Sequence, residues 1–311
     1  MPVVLVTGGA GFIGSHIAER LLQLGNDVRI LDNFSTGRRE NLSSFADSVA
    51  VIEADIRDDD SVRKAIKGAD VVFHEAALAS VPRSVEDPSS SNEVNVKGTL
   101  NLLLAARDEG VSRFVYASSS SIYGDTPELP KREDMAPSPE SPYAVSKLTG
   151  EQYCQVFSSL FGMECVSLRY FNVFGPRQDP ASQYAAVVPL FVTALLEGRS
   201  PDIYGDGEQS RDFTYVSNVV DANMLALEAN GVGGQVFNVA CGSTGSVNEL
   251  LSELQEILGT SIPANYLDPR PGDVKHSFAD VGKAVRLLGL APKVAFKEGL
   301  RLTVDWYRSQ A

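Results

Sequence analysis

A tyrosine and a lysine four residues apart, in the run Tyr143-Ala-Val-Ser-Lys147, have the residue types and spacing for proton transfer. On a helix, residues at i and i+4 share a face, so the phenol and the ammonium can point into one cleft. A free tyrosine has a pKa of about 10, and lowering it by about three units requires roughly 4 kcal/mol from nearby positive charge. The pair therefore predicts a tyrosinate that takes a proton from a substrate hydroxyl.

Four serines, Ser118 to Ser121, follow a predicted strand over 113–117 and bring hydroxyl groups to the same region. One of these hydroxyls could bridge a substrate and Tyr143. A Tyr-x-x-x-Lys pair alone is often an ordinary pair on a helix surface. The serine run at the end of a strand makes an active site the better interpretation.

A glycine run precedes this pair in the chain and has the spacing of a phosphate-binding loop. Gly9, Gly11 and Gly14 satisfy GxGxxG, and Gly8, Gly11 and Gly14 satisfy GxxGxxG. Glycines let backbone N–H groups approach a pyrophosphate at the positive end of the following helix. Asp32, 18 residues after Gly14, can accept hydrogen bonds from ribose hydroxyls and repel a 2′-phosphate. The pattern predicts a dinucleotide site for NAD rather than NADP.

Two neighbouring features bear on that site. Arg38 and Arg39 could favour a 2′-phosphate, although an exposed loop position is the better interpretation of both. Asp55 and Ile56 follow another predicted strand, where they would suit the adenine amino group.

The elements that must position these residues alternate between strands and helices, and this alternation predicts an α/β fold with a Rossmann-type, doubly wound parallel sheet. Ligands bind beyond the carboxyl ends of the strands in such sheets, and Gly8, Asp32, Asp55, His74 and Ser118 all stand there. The predicted strands are 3–6, 28–31, 49–53, 71–74 and 113–117, and the predicted helices are 14–24, 61–66 and 92–108.

The second half of the chain is less regular and predicts a smaller C-terminal α/β substrate domain. A long helix is expected over 143–161, and a capping box at Ser246 to Glu249 opens another that ends at Gly259. Residues 263–273 are expected to form a loop. We expect an NAD-binding domain over 1–172 and a mainly substrate-binding domain over 173–311, with residues of about 212–240 returning to the first.

Composition excludes several classes of protein. The net charge of -13 disfavours sequence-independent nucleic-acid binding, which needs clustered Lys and Arg. The three cysteines, Cys154, Cys165 and Cys241, stand far apart without a CxxC pair, so we expect neither a metal site nor a disulfide framework. No apolar run approaches the roughly 20 residues that span a bilayer, and no leader is visible. A cytoplasmic protein with no membrane partner is therefore expected.

These motifs resemble the extended short-chain dehydrogenase/reductase family, specifically its nucleotide-sugar epimerases. The resemblance covers essentially the whole chain. It is carried by Thr7–Gly14, Asp55-Ile56, His74–Ala77, Asn95, the serine run with Tyr123-Gly124, Tyr143 and Lys147, Arg169–Pro176, Gly205–Gly207, Arg211–Phe213 and Arg270–Asp273.

The resemblance implies that NAD stays bound while hydride leaves C4 of the sugar and returns to the other face of a 4-keto intermediate. Tyr143, Lys147 and Ser119 would be catalytic, with Ser120 as the alternative bridging serine. The implied cofactor-binding residues are Gly8, Gly11, Phe12, Ile13, Gly14, Asp32, Asn33, Ser35, Thr36, Gly37, Asp55, Ile56, Ala76, Ala77, Asn95, Tyr143, Lys147 and Phe171.

Departures from related enzymes narrow the reaction. Nucleotide-sugar 4,6-dehydratases carry an Asp-Glu pair before the Tyr-Gly of the serine loop, and decarboxylating relatives carry a Glu. Ser120, Ser121 and Ile122 stand here, so both reactions are disfavoured. Asn172 resembles the diphosphate-binding amide of UDP-hexose epimerases, where glucuronate epimerases usually have Thr.

The substrate side is less specific. Arg211 and Arg270 resemble the family's diphosphate clamps, and the arginine fork suits phosphate oxygens. Arg169 and Arg177 are weaker candidates with structural alternatives. A small Ser277, where plain-hexose epimerases have Tyr, leaves room for an acetamido group, and the stretches 80–84 and 184–189 resemble enzymes for N-acetylated sugars. The implied substrate-binding residues are Ser119, Asn172, Val187, Val188, Tyr204, Arg211, Arg270, Asp273 and Ser277.

The leading hypothesis is a UDP-N-acetylglucosamine 4-epimerase that also accepts UDP-glucose. A strict UDP-glucose 4-epimerase and a UDP-glucuronate 4-epimerase are the alternatives within the class. A catalytically silent NAD-binding regulator is the alternative from another class, although its Tyr-Lys-Ser set should be broken. The helices at 92–108 and 143–161 resemble the pair through which relatives form homodimers.

Overall fold

The predicted strands are short and apolar along their whole length, which is typical of a parallel sheet covered by helices on both faces. A computed structural model of the protein describes residues 1–181, 186–269 and 275–310. The strands are β1 Val3–Thr7, β2 Asp27–Asp32, β3 Ala50–Glu53, β4 Val71–His74, β5 Arg113–Ser119, β6 Glu164–Tyr170, β7 Val173–Phe174, β8 Asp202–Tyr204, β9 Ser210–Arg211, β10 Thr214–Tyr215, β11 Val236–Val239, β12 Gly245–Ser246, β13 Asn265–Leu267 and β14 His276–Ser277.

The helices alternate with these strands in the first half and cluster in the second. No helix of the described ranges is long and apolar enough to cross a membrane. The helices are α1 Phe12–Gln23, α2 Asp59–Ile66, α3 Val81–Glu86, α4 Pro88–Asn92, α5 Gly98–Glu109, α6 Pro142–Phe161, α7 Val187–Leu196, α8 Val216–Glu228, α9 Val247–Leu258, α10 Gly282–Leu288 and α11 Phe296–Gln310.

The central sheet has seven parallel strands in the order β11-β6-β5-β4-β1-β2-β3. The chain runs from β1 to one edge, crosses to β4 and then continues to the other edge, so the order reverses beside β1. Such a reversal leaves a crevice beyond the carboxyl ends of β1 and β4, where open α/β sheets bind ligands. The Rossmann-type fold predicted from the sequence is confirmed.

Helices cover both faces of this sheet. Buried side chains of α1 and α8, such as Ile17, Leu21 and Val219, pack on one face. Buried side chains of α2 and α5, such as Val62 and Leu102, pack with α6 on the other. Because each face is closed by apolar contacts, the polar crevice at the strand ends is the open side of the sheet.

The single helix expected over 92–108 is interrupted. A five-residue π-helical turn, Glu93–Lys97, joins α4 to α5. Inside this turn the buried Asn95 donates from Nδ2 to Ser146 Oγ at 3.0 Å and accepts from Leu78 N at 2.8 Å. The π turn therefore fixes the loop after β4 to helix α6, and helical periodicity alone could not predict it.

A smaller cluster of helices and short strands follows the sheet. Helices α7, α9 and α11 enclose an aromatic core that includes Phe174, Phe213 and Tyr215. The predicted capping box is confirmed, since Glu249 N donates to Ser246 Oγ at 3.1 Å and Ser246 N to Glu249 Oε2 at 2.8 Å. Helix α9 ends at Gly259, whose φ is 68°.

The prediction of a loop over 263–273 is partly wrong. Residues 265–267 form β13, which pairs in parallel with β8, because the backbone groups of β8 are not satisfied by the main sheet. Arg270 and Asp273 lie outside the described residues.

Part of the second half belongs to the central sheet. Strand β11 pairs with β6, and α8 packs beside α1. We keep the division near residue 172, with a return over about 212–240, as a proposal that these contacts support.

Candidate active site

The glycine loop between β1 and α1 forms the floor of a cavity at the strand ends. Gly8 has a φ of +68°, and a Cβ there would approach Ala76 N to 2.6 Å. A Cβ on Gly14 would approach Gly8 O to 2.2 Å. Helix α1 has no side-chain cap at Gly11, so its first N–H groups are left for a ligand. Backbone approach, rather than side-chain chemistry, defines this part of the site.

Asp32 stands at the rim of the same cavity and is held in place by backbone donors. It accepts from Ala10 N at 2.9 Å and from Phe34 N at 2.8 Å. Burial raises the pKa of Asp32, and these two N–H groups oppose the rise. A Cβ on Gly37 would come within 2.8 Å of Asp32 Oδ1. Glycine at position 37 therefore allows the backbone to pass close to this carboxylate.

Arg38 and Arg39 point away from Asp32. Arg39 pairs with Glu53, and Arg38 Nη1 lies 3.3 Å from Asp179 Oδ1, both as exposed side chains. Their interpretation as exposed loop residues agrees with these contacts.

We call this the glycine-loop cavity. Most of the residues expected to bind the cofactor line it together: Gly8, Gly11, Phe12, Ile13, Gly14, Asp32, Asn33, Ser35, Thr36, Gly37, Asp55, Ile56, Ala76 and Ala77. A loop of N–H donors for a pyrophosphate and a fixed carboxylate for a ribose fit NAD. When bound there, NAD would accept a hydride and give it back.

Four of the expected cofactor residues are not among those that line this cavity, namely Asn95, Tyr143, Lys147 and Phe171. Asn95 and Phe171 do not line the cavity, because Asn95 is hydrogen-bonded in the π turn and Phe171 is buried beside Ile122 and Tyr123. Asp55 lines the cavity, but its carboxylate accepts from Arg57 and from Asn33 Nδ2. The Arg57 hydrogen bond lowers the pKa of Asp55 to about 2. Asp55 is thus already engaged by protein donors.

Tyr143, Lys147 and Ser119 meet beside this cavity, above the end of β5. Tyr143 and Lys147 share one face of α6, and Lys147 Nζ lies 6.0 Å from the centre of the Tyr143 ring. Lys147 Nζ also donates to Ala117 O at 2.7 Å. The Ser119 side chain hydrogen-bonds to Tyr143 and lowers its pKa. Ser118 instead donates to Glu151 Oε1 at 2.5 Å, so Ser118 is not available to bridge to Tyr143.

The pKa of Tyr143 is shifted in the direction opposite to the lowering expected from the sequence. Burial raises the pKa of Tyr143, the Ser119 hydrogen bond opposes the rise, and the Glu75 carboxylate adds to it. Burial lowers the pKa of Lys147 to about 8, opposed first by Glu75. Burial and the Glu75 carboxylate therefore favour the protonated form of Tyr143. Additional positive charge is needed to form the tyrosinate.

A buried ion pair lies directly behind these residues. Arg169 of β6 donates from Nε and Nη2 to the Glu151 carboxylate of α6, both at 2.8 Å. Arg169 Nη1 also donates to Tyr123 Oη at 2.7 Å. Arg169 is therefore structural rather than a substrate ligand, and it ties the helix of Tyr143 to the strand ends. Glu151 was missed, although it stands eight residues after Tyr143 and hence on the same helical face.

The stretch 80–84 contacts the catalytic helix. Ser84 Oγ accepts from Tyr143 N at 3.0 Å and donates to Val81 O at 2.7 Å. The segment that resembles enzymes for N-acetylated sugars thus supports the first turn of α6. Nothing in the local sequence signals this contact.

A second cavity, which we call the Arg211 cavity, lies among the short strands of the second half. Five expected substrate residues line it together: Asn172, Val187, Val188, Tyr204 and Arg211. Asn172 has a φ of 34°, and its Nδ2 donates to Asp212 O at 3.3 Å. Gln209 also lines this cavity and donates to Tyr204 O at 2.9 Å. Sequence reasoning missed Gln209 because no pattern distinguishes it from an ordinary loop residue.

Ser277 pairs with Arg211 in the register of β14 and β9. It is half-buried and is not among the residues that line the Arg211 cavity. Next to it, the buried Asp212 accepts from Cys241 N at 2.9 Å and Gly242 N at 3.0 Å. Burial raises the pKa of Asp212 to about 6. Asp212 thereby joins the strand of Arg211 to the end of β11.

The arrangement suits hydride and proton transfer at a bound alcohol. Ser119 and Tyr143 supply hydroxyl groups for proton transfer, the glycine-loop cavity fits a dinucleotide, and the separate Arg211 cavity carries a cation for a phosphate. Across the described ranges, no group of three or more His, Cys, Asp or Glu side chains could hold a metal ion.

Comparisons with known proteins agree with this geometry. Residues 4–240 match the model of the NAD dependent epimerase/dehydratase family. A UDP-N-acetylglucosamine 4-epimerase from Methanobrevibacter ruminantium M1, in complex with UDP-N-acetylmuramic acid, is 44% identical, with a TM-score of 0.95 over 100% of this chain and 99% of that chain. A UDP-glucose 4-epimerase from Thermus thermophilus, in complex with NAD, is 42% identical, with a TM-score of 0.92 over 99% of this chain and 100% of that chain.

A third solved structure represents a different sugar. The UDP-glucuronic acid 4-epimerase from Bacillus cereus, with UDP-glucuronic acid and NAD, is 34% identical, with a TM-score of 0.93 over 99% of this chain and 100% of that chain. The match of the family model over most of the chain and the likeness along its full length leave one conclusion. The chain belongs to the NAD-dependent epimerase/dehydratase family, and it is an isomerase that uses NAD, of the UDP-sugar 4-epimerase kind.

Proposed function

We propose that the protein interconverts UDP-GlcNAc and UDP-GalNAc at C4 through a 4-keto intermediate, and that it also accepts UDP-glucose. The observation that carries this choice is the small side chain of Ser277 in the strand beside Arg211. A tyrosine there would fill space that an acetamido group needs. The relative from Methanobrevibacter, which was solved with an N-acetylated UDP-sugar, supports the same choice.

The proposed roles of Ser119 and Lys147 follow from their position beside Tyr143. Ser119 would accept the proton of the sugar hydroxyl and pass it to Tyr143, because its hydroxyl is the neighbouring group that lowers the pKa of that phenol. Lys147 would keep positive charge next to the Tyr143 ring. By resemblance to the family, Arg211 and Arg270 would bind the diphosphate, and Asn172, Asp273, Val187, Val188 and Tyr204 would be further substrate-binding residues. The glycine-loop cavity would retain NAD through the whole cycle.

The direct test is incubation of the purified protein with UDP-GlcNAc, and separately with UDP-glucose, without added cofactor. Chromatography then resolves the C4 epimers. We expect UDP-GalNAc to form faster than UDP-galactose. Formation of UDP-galactose alone would contradict the proposed sugar and favour the strict UDP-glucose enzyme. Neither product from a protein that contains NAD would direct the search to UDP-glucuronate.

We also propose a homodimer through helix α6. Val145, Val156 and Leu160 stand on one face of this helix and are exposed, with Leu160 at 71%. An apolar helical stripe of this kind pairs with its copy across a two-fold axis. Light scattering after gel filtration should give a dimer for the wild type and a monomer for Leu160→Glu. A monomeric wild type would contradict the proposal.

A cytoplasmic location is part of the same proposal. Cys154 and Cys165 are buried free thiols on different elements. Unpaired thiols of this kind are typical of proteins in a reducing compartment.

A further inference from the structure

Glu75 is a carboxylate in the wall of the glycine-loop cavity to which the proposed chemistry gives no role. It follows β4 directly, and its N–H donates to Thr7 O at 3.1 Å. It lines the cavity with Ala76 and Ala77. Its backbone also touches the phosphate loop, since a Cβ on Gly8 would come within 2.9 Å of Glu75 C. A carboxylate beside a site for a pyrophosphate is electrostatically unfavourable unless positive charge compensates it.

The orientation of Glu75 is fixed by the neighbouring strands and helices. Tyr170, at the end of β6, donates its hydroxyl to Glu75 Oε1 at 2.9 Å. Asn223 Nδ2 of α8, itself fully buried, lies 2.9 Å from the same hydroxyl oxygen and donates to it. Because Asn223 Oδ1 also lies 3.1 Å from this hydroxyl, the buried amide and the Glu75 carboxylate together fix the position of the phenol. Glu75 is therefore held across the end of β5 towards the region of the catalytic residues.

The positive charge that acts on Glu75 is Lys147 of helix α6. Burial raises the pKa of Glu75, and the Tyr170 hydrogen bond and the Lys147 ammonium oppose the rise, so both of these partners favour the charged carboxylate. In return, Glu75 is the first group that opposes the fall in the pKa of Lys147, and it raises the pKa of Tyr143. His74, the other titratable residue here, is neutral, because burial lowers its pKa to about 3. Each of Glu75 and Lys147 therefore favours the charged form of the other.

The oxidised nicotinamide ring carries a positive charge and the reduced ring does not, so a fixed negative charge in the site distinguishes the two forms. We propose that the Glu75 carboxylate, oriented by Tyr170, stabilises the Lys147 ammonium and makes the site bind oxidised cofactor in preference to reduced cofactor. This preference would favour return of the hydride to the sugar over release of a half-reacted keto sugar. The inference concerns the cofactor and holds for any of the candidate sugars.

The test measures cofactor preference rather than turnover. The full-length protein is equilibrated with defined NAD and NADH mixtures, free cofactor is removed, and bound NADH is measured by its fluorescence. Glu75→Gln keeps the shape and the hydrogen-bond acceptor but removes the charge. We expect the preference for NAD over NADH to fall on the order of 10-fold in this variant. Exposed Glu93→Gln, a matched control on the π turn, should leave the ratio unchanged.

Two further variants separate charge from structure. Glu75→Asp keeps the charge and should retain more of the preference than Glu75→Gln. Tyr170→Phe removes the orienting donor but not the charge and should lower the ratio by less than Glu75→Gln. An unchanged ratio in Glu75→Gln would overturn the proposal, and so would equal weakening of both cofactor forms, since a purely structural role would affect both alike. Because no sugar is present, these results do not depend on the outcome of the substrate assay.

Discussion

The glycine-loop cavity takes its lining from consecutive strand ends of one sheet, whereas the Arg211 cavity takes its lining from separate short segments. In the first, Gly8 and Asp32 stand at the ends of adjacent strands, where backbone hydrogen bonds set their positions. In the second, Asn172, Val187 and Arg211 come from a loop, a helix and a two-residue strand. The difference indicates that cofactor binding is fixed by the backbone, while sugar choice depends on individual side chains.

The largest effect is expected when the proton-transfer function of Tyr143, beside the glycine-loop cavity, is removed. Tyr143→Phe keeps the ring and removes the proton acceptor, so kcat should fall by about 1,000-fold while bound NAD is retained. Chromatography of the C4 epimers measures turnover, and absorbance of the released cofactor measures content. Tyr153→Phe, on the same helix, should change neither. Loss of NAD together with activity would mean that Tyr143 acts mainly in binding.

The buried Glu151–Arg169 pair tests whether the active site depends on a fixed attachment of helix α6 to the sheet. Glu151→Gln leaves Arg169 buried without its counter-charge, and this should lower the free energy of unfolding by about 3 kcal/mol. The equivalent change in an exposed pair, Glu93→Gln opposite Lys97, should cost less than about 0.5 kcal/mol. Urea unfolding compares the two variants. Equal stabilities would show that the Glu151–Arg169 pair does not hold α6 to the sheet.

The third prediction tests whether the choice of sugar depends on the side chain of Ser277. Ser277→Tyr should reduce turnover of UDP-GlcNAc by about 10- to 100-fold while sparing UDP-glucose, since the ring would occupy the acetamido space. Ser277→Ala should leave both activities near wild type. Measured kcat/KM values for the two sugars decide the outcome. Equal loss on both, or none on either, would refute the pocket assignment.

The smallest expected effect is a pH dependence of the folding stability that is due to Asp212, the neighbour of Arg211. The pKa of Asp212 is about 6 in the folded protein, above its usual value of 3.8, so folding favours the neutral carboxyl. Its contribution is fully present below about pH 4 and is lost as pH rises through about 6. Asp212→Asn should therefore gain stability relative to wild type, by about 1–2 kcal/mol, between about pH 4 and pH 6.5.

Thermal unfolding across that pH window measures the difference between Asp212→Asn and wild type. Asp47→Asn, an exposed control, should follow the wild-type profile. A constant difference across the window would mean that Asp212 does not titrate there.

Most of the first region was predictable from the sequence. The strand over 71–74 was predicted with its observed bounds, and Tyr143 and Lys147 share a helical face as their spacing required. These features depend on local periodicity and backbone stereochemistry, which a few adjacent residues determine. The π turn and β13 were not predictable, because each is stabilised by distant segments.

The sequence by itself determined the alternation of strands and helices, the glycine loop and the Tyr143–Lys147 pair, since each depends on residues that are near one another in the chain. Only the tertiary structure decided that Glu75 meets Tyr170 and that Ser277 lies beside Arg211. These contacts join segments far apart in the chain, and their formation depends on strand order and packing. Local pattern carries no information about which distant side chains face each other, so the charge balance around the cofactor is a property of the fold.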